Sequence, residues 1–453
     1  MNILIIGAGD IGFHLTKRLS ADRHNITIVE QDSLRAKRAA EQLDAMVIEG
    51  HGATYSTLQS ARLEDADIVA AMTNNDEVNI IACQIAKRAE VPTTIARVRN
   101  PQYNLENFIL DHESLGTDLI IHPEKETADS ILRLLRQSVA TDVIEFAGGR
   151  CQLVGIRLEN NAPILDIPLK ELTSIYENIP QRIVAINRKQ NTIIPGGDHK
   201  LYTGDQIFVV CDPAYISEVT KISGKTKTNI ENVMLLGGGL IGRFVANSLG
   251  KDVNVKIIES NTERSQKIAD DLPNSLIIHG DGTDVDLLAA EGLMDMDAFV
   301  AVTGDDETNI ISTLVARHLE VPRTIALVNN VEYLPITPTI GMDAVVSKQL
   351  LTVNAVQRFI RHQGVASIAS LPEIDAEITE YVANENTKIV KKPLKDLRFP
   401  KHSIIGAVLR NGDFIVPTGE THIQPGDQVI VFTLPQAQAD VEKLFRESGG
   451  LFS

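Results

Sequence analysis

Short apolar runs alternate with longer amphipathic stretches from the first residues onward. Residues 3–6, 25–29, 45–48, 68–71 and 94–98 are near-continuous apolar runs and read as strands buried on both faces. Between them, 11–19 and 77–89 carry apolar positions at helical spacing, with Pro92 closing the second connection. Strands alternating with helices predict a parallel sheet with crossover helices. The style then changes. Residues 143–211 show period-two segments at 153–158, 182–187 and 206–210, separated by turns such as Pro195-Gly196-Gly197, which predicts a small β-rich lobe. A helix over 124–139, with Ala128, Ile131, Leu132, Leu135 and Val139 on one face, joins the two lobes.

The whole pattern is then written again. Gly7-Ala8-Gly9-Asp10-Ile11-Gly12 recurs as Gly237-Gly238-Gly239-Leu240-Ile241-Gly242, an offset of 230. Gly50 and Gly52 match Gly280 and Gly282 at the same offset, as Asp76-Glu77-Val78-Asn79 matches Asp306-Glu307-Thr308-Asn309 and Val91-Pro92 matches Val321-Pro322. Later the offset slips: Pro168-Leu169-Lys170-Glu171-Leu172 matches Pro393-Leu394-Lys395-Asp396-Leu397 at 225, and Gly204-Asp205-Gln206 matches Gly426-Asp427-Gln428 at 222. Slips of this size belong in loops. The expected fold class is α/β, with two tandem Rossmann-like doubly wound domains at 1–140 and 230–362, each followed by a small β-rich α+β domain, at 141–225 and 363–453. The polar segment 223–232 is the expected linker between copies.

Composition narrows the partners. Lys and Arg number 43 against 60 Asp and Glu, a net charge of −17 over 453 residues, which argues against nucleic acid as a ligand. Cys83, Cys151 and Cys211 form no CxxC pair, so neither a zinc cluster nor a disulfide framework is expected, and a reducing cytoplasm is the expected compartment. No apolar run approaches the roughly 18 residues of a membrane span. Residues 1–7 lack the basic flank of a signal peptide and read as a strand.

The chemistry is concentrated at the glycines. Gly7-x-Gly9-x-x-Gly12 follows a strand and opens a helix, the context in which the first glycine turns tightly, the second lets backbone approach a pyrophosphate, and the third lets helix and strand pack. Glu30 ends the second strand, where an acid accepts hydrogen bonds from ribose hydroxyls and favours NAD or an adenosine nucleotide over NADP. The second copy repeats this with Gly237, Gly239, Gly242 and Glu259. Thr73-Asn74 and Thr303-Gly304 follow the fourth strands and border the expected nucleotide; His51 and Asp281, in the turns after the third strands, are placed for an adenine contact or for local hydrogen bonds. Arg97, at a strand end, pairs with phosphate or forms a surface ion pair. Its counterpart is Leu327, so the two crevices are expected to be unequal, with Arg243 beside Gly242 as a partial substitute. Asp305-Asp306-Glu307 reads as a helix cap rather than a metal site, and no metal is assigned.

No catalytic residue is assigned. There is no GxSxG elbow, Walker lysine or HExxH, and His122, His199 and His279 fall in expected loops without an identifiable partner. A dehydrogenase needs a proton-transfer residue and a substrate lobe; here the rest of the chain is a second copy, which suits a sensor better than a catalyst. An NAD-dependent oxidoreductase with a duplicated dinucleotide domain is the rival reading.

Taken together, the glycine loop Gly7 to Gly12, Glu30, Thr73-Asn74, Asp76-Glu77-Val78-Asn79, Ala96-Arg97-Val98-Arg99 and the two Gly-Asp-Gln turns resemble the TrkA family, regulatory subunits of Trk-type potassium uptake systems. The resemblance covers both copies and implies two RCK modules, each a Rossmann-like N-lobe with a small C-lobe. It implies binding of NAD(H), and of ATP or ADP, at Gly7, Ala8, Gly9, Asp10, Ile11, Gly12, Glu30, Thr73, Asn74 and Arg97. The second site it implies is Gly237, Gly238, Gly239, Leu240, Ile241, Gly242, Glu259, Thr303 and Gly304, with Leu327 departing from the basic residue of the first. It further implies a homotetramer docked at the inner face of the membrane on an integral-membrane, TrkH/TrkG-like potassium-translocating subunit. An RCK-type regulator of another channel or transporter shares every crevice residue.

Overall fold

Four sheets follow one another along the chain. In this computed structural model, all residues are described except 22–23, 105–108, 177, 190, 223, 225–228, 338–339, 361–364, 371–373, 375 and 447–453; half of the expected linker, Ser223 with 225–228, thus lies outside the described residues. The first sheet is parallel, made of β1 (Asn2–Ile6), β2 (Asn25–Glu30), β3 (Met46–Glu49), β4 (Ile68–Ala71), β5 (Thr93–Arg97) and β6 (Leu119–Ile121), in the order β3-β2-β1-β4-β5-β6. That is the doubly wound order, and it places the topological switch between β1 and β4. The second sheet is antiparallel: β7 (Ala140–Phe146), β8 (Cys151–Arg157), β9 (Gln181–Arg188), β10 (Asn191–Ile193) and β11 (Gln206–Cys211), in the order β10-β9-β11-β8-β7.

The second half repeats both. A parallel sheet of β12 (Asn232–Leu236), β13 (Asn254–Glu259), β14 (Ser275–His279), β15 (Ala298–Ala301), β16 (Arg323–Leu327) and β17 (Ala344–Val346) has the order β14-β13-β12-β15-β16-β17. The last sheet joins β18 (Val365–Ser370), β19 (Glu377–Val382), β20 (Ser403–Arg410), β21 (Asp413–Ile415) and β22 (Gln428–Thr433) in the order β18-β19-β22-β20-β21, the second sheet's topology. His279 closes a strand rather than lying in a loop, and its Nε2 lies 3.0 Å from Thr262 Oγ1.

The apolar runs become strands because helices cover both faces of the parallel sheets. Every residue of β4 and of β15 is buried. The helices that bear on function are α1 (Asp10–Ala21), α2 (Asp76–Arg88), α3 (Pro123–Arg136), α4 (Leu240–Leu249), α5 (Asp306–His318) and α6 (Lys348–Ile360). α2 buries Ile80, Cys83 and Ala86, at helical spacing, in a core with Leu4, Ile6, Val69, Ala71 and Ala96. The acidic run of the second half caps α5, with Asp305 accepting from Thr308 N at 2.7 Å.

The chain forms two compact units: Met1–Thr127 with Lys348–Phe359, and Ala128–Ser347 with Ile360–Ser453. The second unit holds both antiparallel sheets in a common core, where Phe146, Leu153, Phe208 and Val210 meet Ile378, Leu409, Ile430 and Phe432. Glu380 Oε2 accepts from Ala147 N at 3.0 Å across that core. The first unit holds the first parallel sheet together with α6, a helix that belongs by sequence to the second copy.

Each Gly-Asp-Gln turn is fixed by one buried acid. Asp205 accepts from Arg188 Nε at 2.8 Å, from Arg188 Nη2 at 2.7 Å and from Tyr202 N at 2.9 Å; Asp427 makes the same bonds to Arg410 and Gln424 N. Removing the cation strands a buried carboxylate. Arg188→Met is therefore expected to destabilise the first small lobe by about 2–3 kcal/mol, read as a lower midpoint in thermal or urea unfolding.

Candidate nucleotide-binding site

The crevice opens at the carboxyl ends of β1 and β4. Gly7, at φ +98°, turns the chain out of β1, and a Cβ on Gly12 would stand 1.9 Å from the Gly7 carbonyl oxygen, so the fold itself requires glycine at both places. The middle glycine is different. A Cβ on Gly9 would meet nothing nearer than Arg35 Nη1 at 3.9 Å, and one on Gly239 nothing within 4 Å. Space above the loop is open in both copies. The first-turn amides of α1 and α4, which have no intrahelical acceptors, lie beside it.

Glu30 is buried and holds the loop. Its Oε2 accepts from Ala8 N at 2.5 Å and its Oε1 from Asp32 N at 2.8 Å; Glu259 does the same for Gly238 N at 2.9 Å and Asn261 N at 2.8 Å. An acid positioned in this way keeps free lone pairs for ribose hydroxyls while fixing the loop's shape. Arg264 Nη1 stands 3.4 Å from Glu259 in the second copy; its counterpart in the first copy is Arg35, the two backbone amides donating to the helix caps Asn261 and Asp32.

Across the crevice, Thr73 N and Oγ1 both donate to Asn79 Oδ1, at 3.0 and 2.6 Å, while Asn79 Nδ2 donates to the carbonyls of Thr73, at 3.1 Å, and Arg97, at 2.7 Å. Thr303, Asn309 and Leu327 repeat this frame. One fully buried amide thus ties the ends of β4 and β5 together in each copy. Sequence reasoning did not assign Asn79 or Asn309 to the site, although the repeated Asp-Glu-x-Asn signalled them.

Arg97 is buried at the end of β5. Its Nη1 donates to Asn74 Oδ1 at 2.7 Å and to the Thr73 carbonyl at 3.3 Å, while Nε has no hydrogen bond. Burial lowers the guanidinium pKa, with Glu124, Asp76 and Asp10 opposing and Arg99 reinforcing the shift. Arg97 is therefore no surface ion pair. In the second copy Gly304 stands where Asn74 holds the arginine, and Leu327 is buried; the two changes go together because the amide has nothing left to orient. Arg243 stands 3.7 Å from Asp271 Oδ2. His51 and Asp281 fold onto their own turns, accepting from Ala53 N at 3.2 Å and Thr283 N at 2.9 Å.

An open parallel sheet with a glycine-turn crevice at its switch point, present twice and each time followed by a five-stranded antiparallel sheet, defines a tandem protein of the dinucleotide-binding fold. The TrkA-N domain family matches residues 3–123 and 233–348, and the TrkA-C domain family matches 153–224 and 378–446. The Trk system potassium uptake protein TrkA homolog 2 of Methanosarcina mazei is 37% identical over 98% of this chain and 100% of its own. The Trk system potassium uptake protein TrkA of Azorhizobium caulinodans is 34% identical over 99% of each. This chain belongs to the TrkA family. The GsuK channel bound to NAD, 19% identical, shares the fold with a TM-score of 0.62 over 98% of this chain and 78% of its own.

The two kinds of glycine separate by experiment. Gly12→Ala is expected to lower the unfolding midpoint sharply, by about 3 kcal/mol or more, whereas Gly9→Ala should leave it within about 0.5 kcal/mol and weaken nucleotide binding, read by differential scanning fluorimetry with and without ligand.

Proposed function

We propose that this chain is the nucleotide-responsive regulatory subunit of a Trk-type potassium uptake system, binding NAD(H), and ATP or ADP, in the first crevice, and acting without catalysis on an integral-membrane potassium-translocating subunit. The observation that carries the reading is the open space over Gly9, beside a loop whose every other constraint is met from within the protein. Family membership supplies the potassium system, and the NAD-bound GsuK channel supports the dinucleotide. Among the described residues no helix is long and apolar enough to cross a membrane, which accords with a peripheral subunit docked at the cytoplasmic face. A homotetramer, with two modules per chain, is the assembly this role implies.

Regulation follows from differential affinity. A nucleotide shifts a gate only by as much as it binds one arrangement of the assembly more tightly than another. The unequal crevices suit that role: Arg97 and Asn74 give the first a cationic wall, where the second has Leu327 and Gly304.

Calorimetric titration of the purified protein with NAD, NADH, ADP and ATP tests the reading. Saturable binding with one dominant site per chain is expected, and Arg97→Ala is expected to weaken it by about tenfold through loss of a charge-assisted contact, and to alter potassium uptake in cells. A folded sample, shown free of retained ligand, that binds none of the four would overturn the reading; unchanged affinity and uptake in Arg97→Ala would remove the phosphate role.

A further inference from the structure

The same arginine takes two positions in the two crevices. In the helix after each second strand, Ser33–Gln42 in the first copy and Thr262–Asp271 in the second, Arg35 and Arg264 hold the same place, their amides donating to the caps Asp32 and Asn261. Their guanidinium groups part. Arg264 Nη1 donates to both oxygens of Glu259, at 3.4 Å each. Arg35 makes no side-chain hydrogen bond or ion pair among the described residues, and its Nη1 lies 3.9 Å from where a Cβ of Gly9 would stand. Nothing lies within 4 Å of the matching place at Gly239.

The difference falls on the atoms that a ribose needs. Glu30 and Glu259 are both buried, at 7% and 3% exposure, and each carboxylate accepts one amide of the glycine loop and one of the following helix cap. Each oxygen then keeps a lone pair. In the first crevice these lone pairs are open to ribose hydroxyls; in the second they face Arg264. The fold does not require the pairing, because the first copy builds the same loop and the same clamp without it. The Arg264 side chain is 55% exposed, so its release returns the guanidinium to water at modest cost.

We propose that Arg264 occupies the ribose position of the second crevice, so that a nucleotide enters there only by exchanging its ribose hydroxyls for this guanidinium on Glu259. The inference rests on the proposed nucleotide binding and adds the order of filling. The first crevice fills at the lower concentration of an adenosine nucleotide, and the second at a higher one whose threshold Arg264 sets. One chain then reads two concentration ranges of one ligand class, adenosine nucleotides with free ribose hydroxyls.

The test is equilibrium dialysis and calorimetric titration of the full chain and of Arg264→Gln, with ADP and with ADP lacking both ribose hydroxyls, folding being checked by circular dichroism. Wild-type protein is expected to show a tighter and a weaker site. Arg264→Gln is expected to raise the ADP affinity of the weaker site about fivefold, the upper range for an ion pair this exposed, while the tighter site and binding of the analogue stay within about twofold. A second site seen only in the variant supports the inference equally. If Arg264→Gln does not fold, Arg264→Ala carries the same expectation. Two equal sites in the wild type, a weaker site absent from both proteins, one unchanged or weakened in the variant, or an equal gain for the analogue overturns the inference alone. Wild-type protein that binds no ADP overturns it, and takes the nucleotide reading with it if NAD, NADH and ATP also fail to bind.

Discussion

The contact between Gly12 and the carbonyl of Gly7 sets the angle at which α1 leaves β1, and the rest of the crevice is built to hold that angle. With no room for a Cβ between them, helix and strand close to backbone contact. Glu30 then clamps the loop from the side of β2, and Asn79 clamps the opposite wall by tying Thr73 to the end of β5. Each clamp is a buried polar group bonded chiefly to backbone atoms, so each fixes geometry and excludes alternatives that would leave it unbonded. Of the three loop glycines, only Gly9 has open space beside it.

Repetition of this machinery separates what the fold needs from what the ligand needs. The outer glycines of each loop, the acid on the second strand, the threonine and the buried asparagine hold the same backbone frame in both halves, whereas the middle glycine is repeated with open space beside it. Arg97 with Asn74, Arg99 and His122 are not repeated, and so cannot be requirements of the architecture. A duplicated domain is in this sense its own control: what differs between copies, in a shared frame, is not needed to build that frame.

The exchange of α6 into the first unit gives the duplication a further consequence. Lys348 lies on the second repeat in sequence and in the first unit in space, where it stands 3.7 Å from Glu124.

Much of this was legible in the residues. The parallel sheets, the glycine turns and the acids that end the second strands follow from local pattern, because strand periodicity and backbone sterics are properties of a few neighbouring residues. The Asp-Glu-x-Asn repeat even signalled the asparagine frame, though not what it bonds. The partners of Arg97 were hidden: Asn74 is visible beside Thr73, but that the guanidinium is buried on it rather than paired at the surface depends on how β4 and β5 pack. Hidden more deeply still were Glu124 and Lys348, which no spacing rule connects. Their meeting depends on a helix leaving its own repeat to complete another. Sequence by itself determined the elements and their duplication, since these are local; tertiary structure alone decided which distant charges share a desolvated pocket, since that is set by where the chain crosses over.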